Sequence, residues 1–246
     1  MFDAHAHLCF PDFDNDREAV VSASKQQLKG VLVSSAQYEE GKQVLDLVKK
    51  HQGFLWASIG HHPIQGDHLT DTLQLIRDHA PQLKAIGEVG LDHHWESDPE
   101  KQAQQKQVFQ QFIDLARELK KPLVIHSWDA EEQAFEMIKD SGVQAVFHCF
   151  TGKPDLGLQI AEAGHYVSLS TNLLFSKRIR KTGKALPLDK LLLETDSPFL
   201  DPDRERKHNT PANVLLTAKK IAELRNSTPE EIAQAAWTNA KHVFLL

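Results

Sequence analysis

The chain has 246 residues, of which 41% are hydrophobic and 25% are charged, and its formal net charge is −6 at pH 7. This composition excludes a disordered, collagen-like or coiled-coil protein, and the length suits one large α/β domain spanning 1–246. The acidic balance excludes a generally basic nucleic-acid-binding face, so any site for a polyanion must be local.

The sequence carries no signal for a membrane or an oxidising compartment. No apolar run approaches the roughly 18 residues that a membrane span requires, and the first residues lack the charged and apolar regions of a signal peptide. We therefore expect a cytoplasmic protein with no membrane partner. Two cysteines, Cys9 and Cys149, are too few for a disulfide framework, so we expect both to be reduced. The oligomeric state stays open.

Short apolar runs alternate with amphipathic stretches of helical length along the whole chain, which is typical of βα units around a parallel sheet. The predicted strands are Phe2–His7, Gly30–Ser35, Phe54–Gly60, Ala85–Val89, Leu123–His126, Ala145–His148, Tyr166–Leu169 and Lys190–Glu194. The predicted helices are Asp14–Leu28, Glu39–His51, Asp71–His79, Pro99–Leu119, Ala130–Asp140, Pro154–Ala163, Pro211–Leu224 and Pro229–Val243. This order predicts an α/β TIM (β/α)8 barrel with an extra C-terminal helix, and a doubly wound open sheet is the alternative.

The first predicted strand carries two histidines, His5 and His7, separated by one residue. Alternate residues of a strand face the same side, so we expect both imidazoles to point into the mouth of the barrel, with Asp3 on the same face. Taken alone, such a pair fits two ordinary polar residues at a strand end as well as it fits a metal site.

Other predicted strands end near further residues of the kinds that ligate metals. These residues are Glu88, His126, His148 and Asp196. The carboxyl ends of the strands form the rim of a TIM barrel where catalysis takes place. Ionisable groups that are buried there without partners are costly, and coordination of a cation removes that cost. We therefore expect a metal site at this rim.

Six ligands exceed the three that one catalytic zinc ion needs, so they predict two ions that share a bridging carboxylate, for which Glu88 is the natural candidate. Two such ions activate water for hydrolysis. Asp196 would bind one ion and accept the proton of that water, so Asp196 and Glu88 are the predicted catalytic residues. Four imidazoles favour zinc or another transition metal, whereas Mg²⁺ prefers oxygen ligands.

Six short motifs occur in order along nearly the whole chain. They are Asp-Ala-His-Ala-His at 3–7, Gly-His-His-Pro at 60–63, Gly-Glu-Val-Gly-Leu-Asp at 87–92, Val-Ile-His-Ser at 124–127, His-Cys-Phe-Thr-Gly at 148–152 and Leu-Glu-Thr-Asp-Ser-Pro at 193–198. This set resembles the TatD family of metal-dependent deoxyribonucleases within the amidohydrolase-like barrels. The resemblance implies a nuclease whose substrate is nucleic acid.

The resemblance also implies roles for individual residues. One ion would be held by His5, His7, Glu88 and Asp196, and the other by Glu88, His126 and His148. His62 would lie near the substrate phosphate, and we expect Asp92 and Asp3 to support the ligands from behind. The resemblance admits magnesium, so two divalent ions are predicted and their identity stays open between Zn²⁺, Mg²⁺ and Mn²⁺.

The chain departs from the family pattern just outside the ligands. Trp128 stands where family members usually carry an arginine, and Ile64 stands where a histidine is usual. Loss of the cation weakens the case for tight binding of a nucleic-acid backbone. Trp128 would instead stack on a base or aromatic group of the substrate, or pack against its own helix.

Compensating positive charge is expected from the basic segment 177–184, which contains Arg178 and Arg180 and follows the seventh predicted strand. Lys207 is a further predicted substrate contact. A solvated basic loop is the alternative interpretation of 177–184.

Three functions are compatible with this sequence. The first is a TatD-type deoxyribonuclease that cleaves phosphodiester bonds of single-stranded DNA, in preference to RNA, with strong salt sensitivity. The second is a metal-dependent esterase or deacylase, such as a D-aminoacyl-tRNA deacylase, because the fold and the ligands do not choose between the two bonds. The third is a non-catalytic metal-binding or nucleic-acid-binding protein.

Overall fold

Eight parallel strands follow one another around a ring in the computed structural model, which describes residues 1–203 and 208–246. They are β1 (Phe2–Ala6), β2 (Gly30–Ser35), β3 (Leu55–Ile59), β4 (Leu83–Asp92), β5 (Leu123–Trp128), β6 (Ala145–Phe147), β7 (Tyr166–Leu169) and β8 (Leu191–Leu193). Each strand pairs with the next one in sequence. All carboxyl ends therefore lie at the same rim.

The ring closes between β1 and the segment that follows β8. An isolated parallel bridge joins Ala6 to Ser197. The backbone N–H of His7 donates to the carbonyl of Ser197 (2.7 Å), and the N–H of Asp196 donates to the carbonyl of His5 (3.1 Å). The predicted TIM barrel is therefore confirmed, and the open-sheet alternative is wrong.

Helices pack around the outside of the ring. They are α1 (Arg17–Lys25), α2 (Tyr38–Lys50), α3 (Leu69–His79), α4 (Pro99–Leu119), α5 (Glu131–Ile138), α6 (Pro154–Glu162), α7 (Lys177–Ala185), α8 (Val214–Arg225) and α9 (Pro229–Phe244). The extra C-terminal helix that the sequence predicts is α9, and its Asn239 side chain donates to the carbonyls of Leu188 and Leu191. Among the described helices, none combines the length and apolar character needed to cross a membrane.

Apolar side chains fill the amino end of the barrel interior and form its floor. They are Phe2, Ala4, Leu32, Ala85, Val124, Val146, Tyr166 and Leu192, with Ala240, Val243 and Phe244 of α9 closing them from below. In a regular strand the residue two positions further on faces the same side. Ser34, His126 and His148 each lie two positions after a floor residue, so they face the same interior but nearer to the carboxyl rim.

Two strands break this alternation. The pairing of β1 shifts register within 3–6, and that of β4 shifts register within 86–89. A bulge adds a residue to one strand and re-aims the side chains that follow it. These two irregularities lie beside His5, His7 and Glu88. Each of the three residues lies an odd number of positions after a floor residue of its own strand, so a regular strand would turn its side chain outwards. The register shifts turn these side chains to the interior.

The basic segment 177–184 is helical, so its interpretation as a solvated loop is wrong. It forms most of α7, whose first turn is capped by Ser176, because the Ser176 hydroxyl accepts a hydrogen bond from the N–H of Ile179. Only a narrow apolar face, which includes Ile179, is buried. Ile179, Thr182 and Gly183 lie on one face at helical spacing and the basic residues lie on the other, so the periodicity of the segment would have identified it as a helix.

We predict that Gly60→Ala lowers the melting temperature, because a Cβ atom at this position would lie 2.2 Å from the carbonyl oxygen of Glu88. Overpacking of this kind costs about 1–3 kcal/mol, or roughly 3–10 °C in a chain of this size. Gly66→Ala is the matched control, since a Cβ atom there meets nothing within 4 Å. Thermal unfolding followed by circular dichroism tests this, and equal melting temperatures of the two variants would contradict it.

Candidate metal centre

Glu88 lies at the centre of a cluster of buried imidazoles at the carboxyl rim. Its Oε2 atom lies 2.9 Å from Nε2 of His148 and 3.8 Å from Nδ1 of His126. The same oxygen lies 3.7 Å from Nε2 of His5, and Oε1 lies 3.4 Å from Nε2 of His7. One carboxylate therefore contacts all four predicted histidine ligands.

Asp196 reaches the cluster from the segment after β8. Its Oδ1 atom lies 3.7 Å from Nε2 of both His5 and His7. The backbone of Asp196 is left-handed (φ 57°), which is uncommon for a residue other than glycine. The buried carboxylate of Asp3 supports this turn, because it accepts hydrogen bonds from the N–H (2.9 Å) and the hydroxyl (2.6 Å) of Thr195.

Each of the four imidazoles turns one nitrogen towards the cluster and the other towards a separate polar side chain. The four pairs are His5 with Ser34 (3.1 Å), His7 with Glu40 (3.7 Å), His126 with Asp92 (2.8 Å) and His148 with Glu194 (3.4 Å). Such a second partner fixes the orientation of a ligating histidine and raises its basicity. The imidazoles are thus oriented from behind before any ion binds.

Three of these supporting residues were missed by sequence reasoning. Ser34 and Glu194 each lie an even number of positions after a residue of the barrel floor, so the period-two alternation already used for strands would have identified them. Glu40 lies in the first turn of α2, where an acidic residue is common for electrostatic reasons alone. Only the packing of α2 against the rim brings it to His7.

Burial and charge shift the pKa values of the cluster in opposite directions. Burial disfavours protonated His7, but neighbouring carboxylates, Glu88 foremost, outweigh this effect and raise the pKa of His7 to about 9. Burial likewise opposes ionisation of Glu88, but the surrounding imidazoles hold its pKa well below the ordinary value. Burial raises the pKa of Asp196 to about 6 and lowers that of His5 well below its usual range. Protons and cations therefore compete for the same atoms.

The donor atoms of the cluster fit a divalent cation. Nε2 of His148 is buried and makes no hydrogen bond, although it faces Glu88. Nε2 of His5 lies 3.1 Å from Nε2 of His7, so at most one of the two can donate. Converging imidazole nitrogens and carboxylate oxygens are the ligands of zinc and related metals. Within the described residues the groups with suitable spacing are His5–His7–Asp196, His5–Glu88–His148 and His62–Asp92–His126.

A cavity of about 520 Å³ lies above the cluster, and both His62 and Trp128 line it. The ring of His62 lies 4.3 Å from that of His126, and burial lowers the pKa of His62 to about 3, so this imidazole is neutral. Trp128 lies at the end of β5 and is partly exposed. It stacks on His94 with ring centroids 3.9 Å apart.

Of the remaining predicted site residues, one lies in the site, two lie away from it and one lies outside the described residues. Asp92 joins the site through His126. Arg178 and Arg180 lie on α7 and do not line the cavity, and the guanidinium of Arg180 donates to the carbonyls of Leu173 and Leu174. The structure therefore does not bring the basic segment to the cluster. Lys207 lies outside the described residues.

Comparison with known proteins agrees with this geometry. The family model described as TatD related DNase matches residues 2–245. An uncharacterized metal-dependent hydrolase of Bacillus subtilis, YabD, is 35% identical over 99% of this chain and 98% of its own length. The human deoxyribonuclease TATDN3 is 32% identical over 99% of this chain and 94% of its own length.

A solved structure shows the same architecture. The crystal structure of YJJV, a TatD homologue from Escherichia coli, superimposes with a TM-score of 0.92 at 26% identity and covers 100% of this chain and 98% of the homologue. The relatives match in fold and over nearly the full length of the sequence. The chain therefore belongs to the TatD-related DNase family of metal-dependent hydrolases.

Proposed function

We propose that this hydrolase cleaves phosphodiester bonds of DNA, in single strands rather than in duplexes, and DNA in preference to RNA. The observation that carries the proposal is the convergence of four oriented imidazoles and two carboxylates beneath a cavity large enough for part of a substrate. The human relative TATDN3 is a deoxyribonuclease by name, which supports the choice of bond. A cytoplasmic location and a single domain stay predictions from the sequence.

We assign two divalent cations to the cluster, with Glu88 as the shared ligand. The assigned ligands are His5, His7, Glu88 and Asp196 for one ion, and Glu88, His126 and His148 for the other. When bound, such ions lower the pKa of water and offset negative charge on phosphate oxygens. The imidazoles favour Zn²⁺ and the carboxylates are compatible with Mg²⁺ and Mn²⁺, so all three ions are candidates.

Two side chains have protonation states suited to hydrolysis. The carboxylate of Asp196, whose pKa burial raises to about 6 in the absence of an ion, is ionised at neutral pH. It therefore suits the removal of a proton from the attacking water at Oδ1. Nδ1 of His62 accepts a hydrogen bond from the N–H of Ile64, so Nε2 carries the proton. That N–H can donate to a phosphate oxygen in the cavity.

A second candidate is a deacylase that acts on a carboxylic ester, such as an aminoacyl ester. The observation that favours it is the absence of lysine and arginine among the described residues that line the cavity. A nucleic-acid backbone is bound mainly through such residues, whereas an ester does not need them. The same ligand set serves either bond.

We predict that Asp196→Asn lowers cleavage of a single-stranded deoxyoligonucleotide at least about 100-fold, the range expected for loss of a general base. Activity of the metal-loaded protein is measured by gel analysis of the end-labelled oligonucleotide. Asp114→Asn is the matched control, because the contacts of Asp114, with Arg117 and Gln110, lie on the exposed surface. Wild-type cleavage no faster than that of Asp196→Asn would contradict the proposal. Turnover of an aminoacyl ester by the same preparation would then favour the deacylase.

We predict that the affinity for a divalent cation rises with pH up to about 9. His7 has a pKa of about 9, so below that pH it must release a proton before Nε2 can ligate an ion. The apparent dissociation constant should fall by up to about tenfold per pH unit for each proton displaced, and level off above the pKa. Calorimetric titration with Mn²⁺ in two buffers of different ionisation enthalpy measures both affinity and proton release. An affinity that is constant between neutral pH and pH 9 would be the contrary result.

We predict that Glu194→Gln weakens cation binding by about 10–100-fold, because Nδ1 of His148 loses its anionic partner. The amide oxygen can still accept the hydrogen bond from the N–H of Cys149, so the fold should be retained. The control is Glu223→Gln, which removes only an exposed ion pair with Lys220. Equal Mn²⁺ affinities of the two variants would show that Glu194 has no such role.

A further inference from the structure

An apolar rim surrounds the mouth of the cavity above the proposed metal ligands. Among the described residues, the large apolar side chains that are exposed number seven, and four of them line this cavity. The four are Ile64, Trp95, Trp128 and Phe199. Isolated exposed apolar residues are ordinary, but a concentration of them around one cavity marks a surface that contacts a ligand.

The two tryptophans of the rim are held in a fixed arrangement. Their ring centroids lie 6.1 Å apart with the planes at 84°. The imidazole of His94 stacks on Trp128, and Nδ1 of His94 lies 2.9 Å from a carboxylate oxygen of Asp129, which orients this ring. Trp95 is nevertheless 67% exposed and Trp128 is 39% exposed. The rim thus keeps broad aromatic surface available to a ligand without needing to reorganise.

Asp92 connects this aromatic surface to the metal ligands. One oxygen of its carboxylate lies 2.8 Å from Nε2 of His126, and the other accepts a hydrogen bond from the N–H of Trp95 (2.7 Å). The same carboxylate therefore positions a ligand of the ion and the backbone that carries Trp95. An aromatic group on the rim is consequently held at a defined place relative to the reacting bond.

The described lining of the cavity favours recognition of the substrate through something other than many phosphates. Among the described residues its lining contains carboxylates but neither lysine nor arginine. The described lining offers the substrate no lysine or arginine but a broad aromatic surface, which favours a specific contact to an uncharged part of the substrate. In a single strand that part is the face of an unpaired base, which stacks readily on aromatic side chains. In a duplex the faces of the bases are already covered by their neighbours.

We propose that Trp128 stacks on the nucleobase next to the scissile phosphate and that Trp95, whose ring plane lies at 84° to that of Trp128, contacts the same base edge-on, so that the substrate is selected by an unpaired base and not by its phosphate chain. This inference rests on the proposed phosphodiester hydrolysis and names how its substrate is recognised. It supplies a physical reason for the single-strand preference proposed above. It also gives the tryptophan at 128 a function that an arginine could not serve in the same way.

The test compares two substrates and two kinds of variant. The substrates are a short single-stranded deoxyoligonucleotide and the same oligonucleotide with a stable abasic residue beside the scissile phosphate. We expect Trp95→Ala and Trp128→Ala each to lower kcat/KM on the first substrate by about 5- to 150-fold, the range for one lost base stack, mainly through KM. Neither should change kcat/KM on the abasic substrate, and Trp95→Phe and Trp128→Phe should retain most activity.

Leu216→Ala is the matched control, since Leu216 is also an exposed apolar residue but does not line the cavity. Binding is measured separately from turnover by quenching of tryptophan fluorescence in the Asp196→Asn protein. A deoxynucleoside monophosphate should quench it and deoxyribose phosphate should not. We also expect Trp128→Arg to steepen the dependence of log kcat/KM on log salt concentration by about 0.7, the value for one added phosphate contact in a single strand.

The outcomes separate this inference from the proposed function. If the wild-type protein cleaves the oligonucleotide and the alanine variants cleave it as fast as the wild-type protein does, the stacking role is wrong and the nuclease function stands. If the wild-type protein cleaves neither substrate, both proposals are wrong. If the alanine variants instead lose turnover of an aminoacyl ester, the rim serves the deacylase and not a base.

Discussion

The hydrogen bonds between β1 and the segment after β8 hold the two ends of the sheet together, and the rest of the site depends on them. Asp3 accepts from both the N–H and the hydroxyl of Thr195, with no exposure of its own side chain to solvent. This seam places Asp196 against the two histidines of β1. If the sheet stayed open at this point, half of the ligand cluster would lie on one edge and half on the other.

Closure of the barrel buries the negative charge of Glu88, and the surrounding residues offset that charge. Glu88 is buried and ionised, and burial of an unpaired carboxylate is strongly unfavourable. The four imidazoles around it turn a nitrogen inwards and are each oriented by a polar partner on the other side. Protons compensate the charge in part, as the raised pKa of His7 shows, and a cation can replace them.

The cavity above this cluster has two chemically different parts. Its floor carries ionisable ligands, and its rim is apolar and aromatic. Asp92 contacts both, through His126 on one side and through the backbone of Trp95 on the other. Residues of the rim can therefore be exchanged without altering the side chains of the cluster. The basic helix α7, which the sequence suggested as a substitute for the lost charge, does not line the cavity.

The sequence by itself determined the eight strands, the barrel and the residues able to ligate metals, because period-two apolar runs and ligand-type residues near strand ends are local patterns. It did not determine that His5, His7 and Glu88 face inwards through irregular strands, since register shifts depend on the neighbouring strand. The sequence also did not determine that Glu40 lies beside Nδ1 of His7, or that α7 lies away from the cavity. Those relations join residues distant in sequence, and only the packing of helices on a closed barrel decides them.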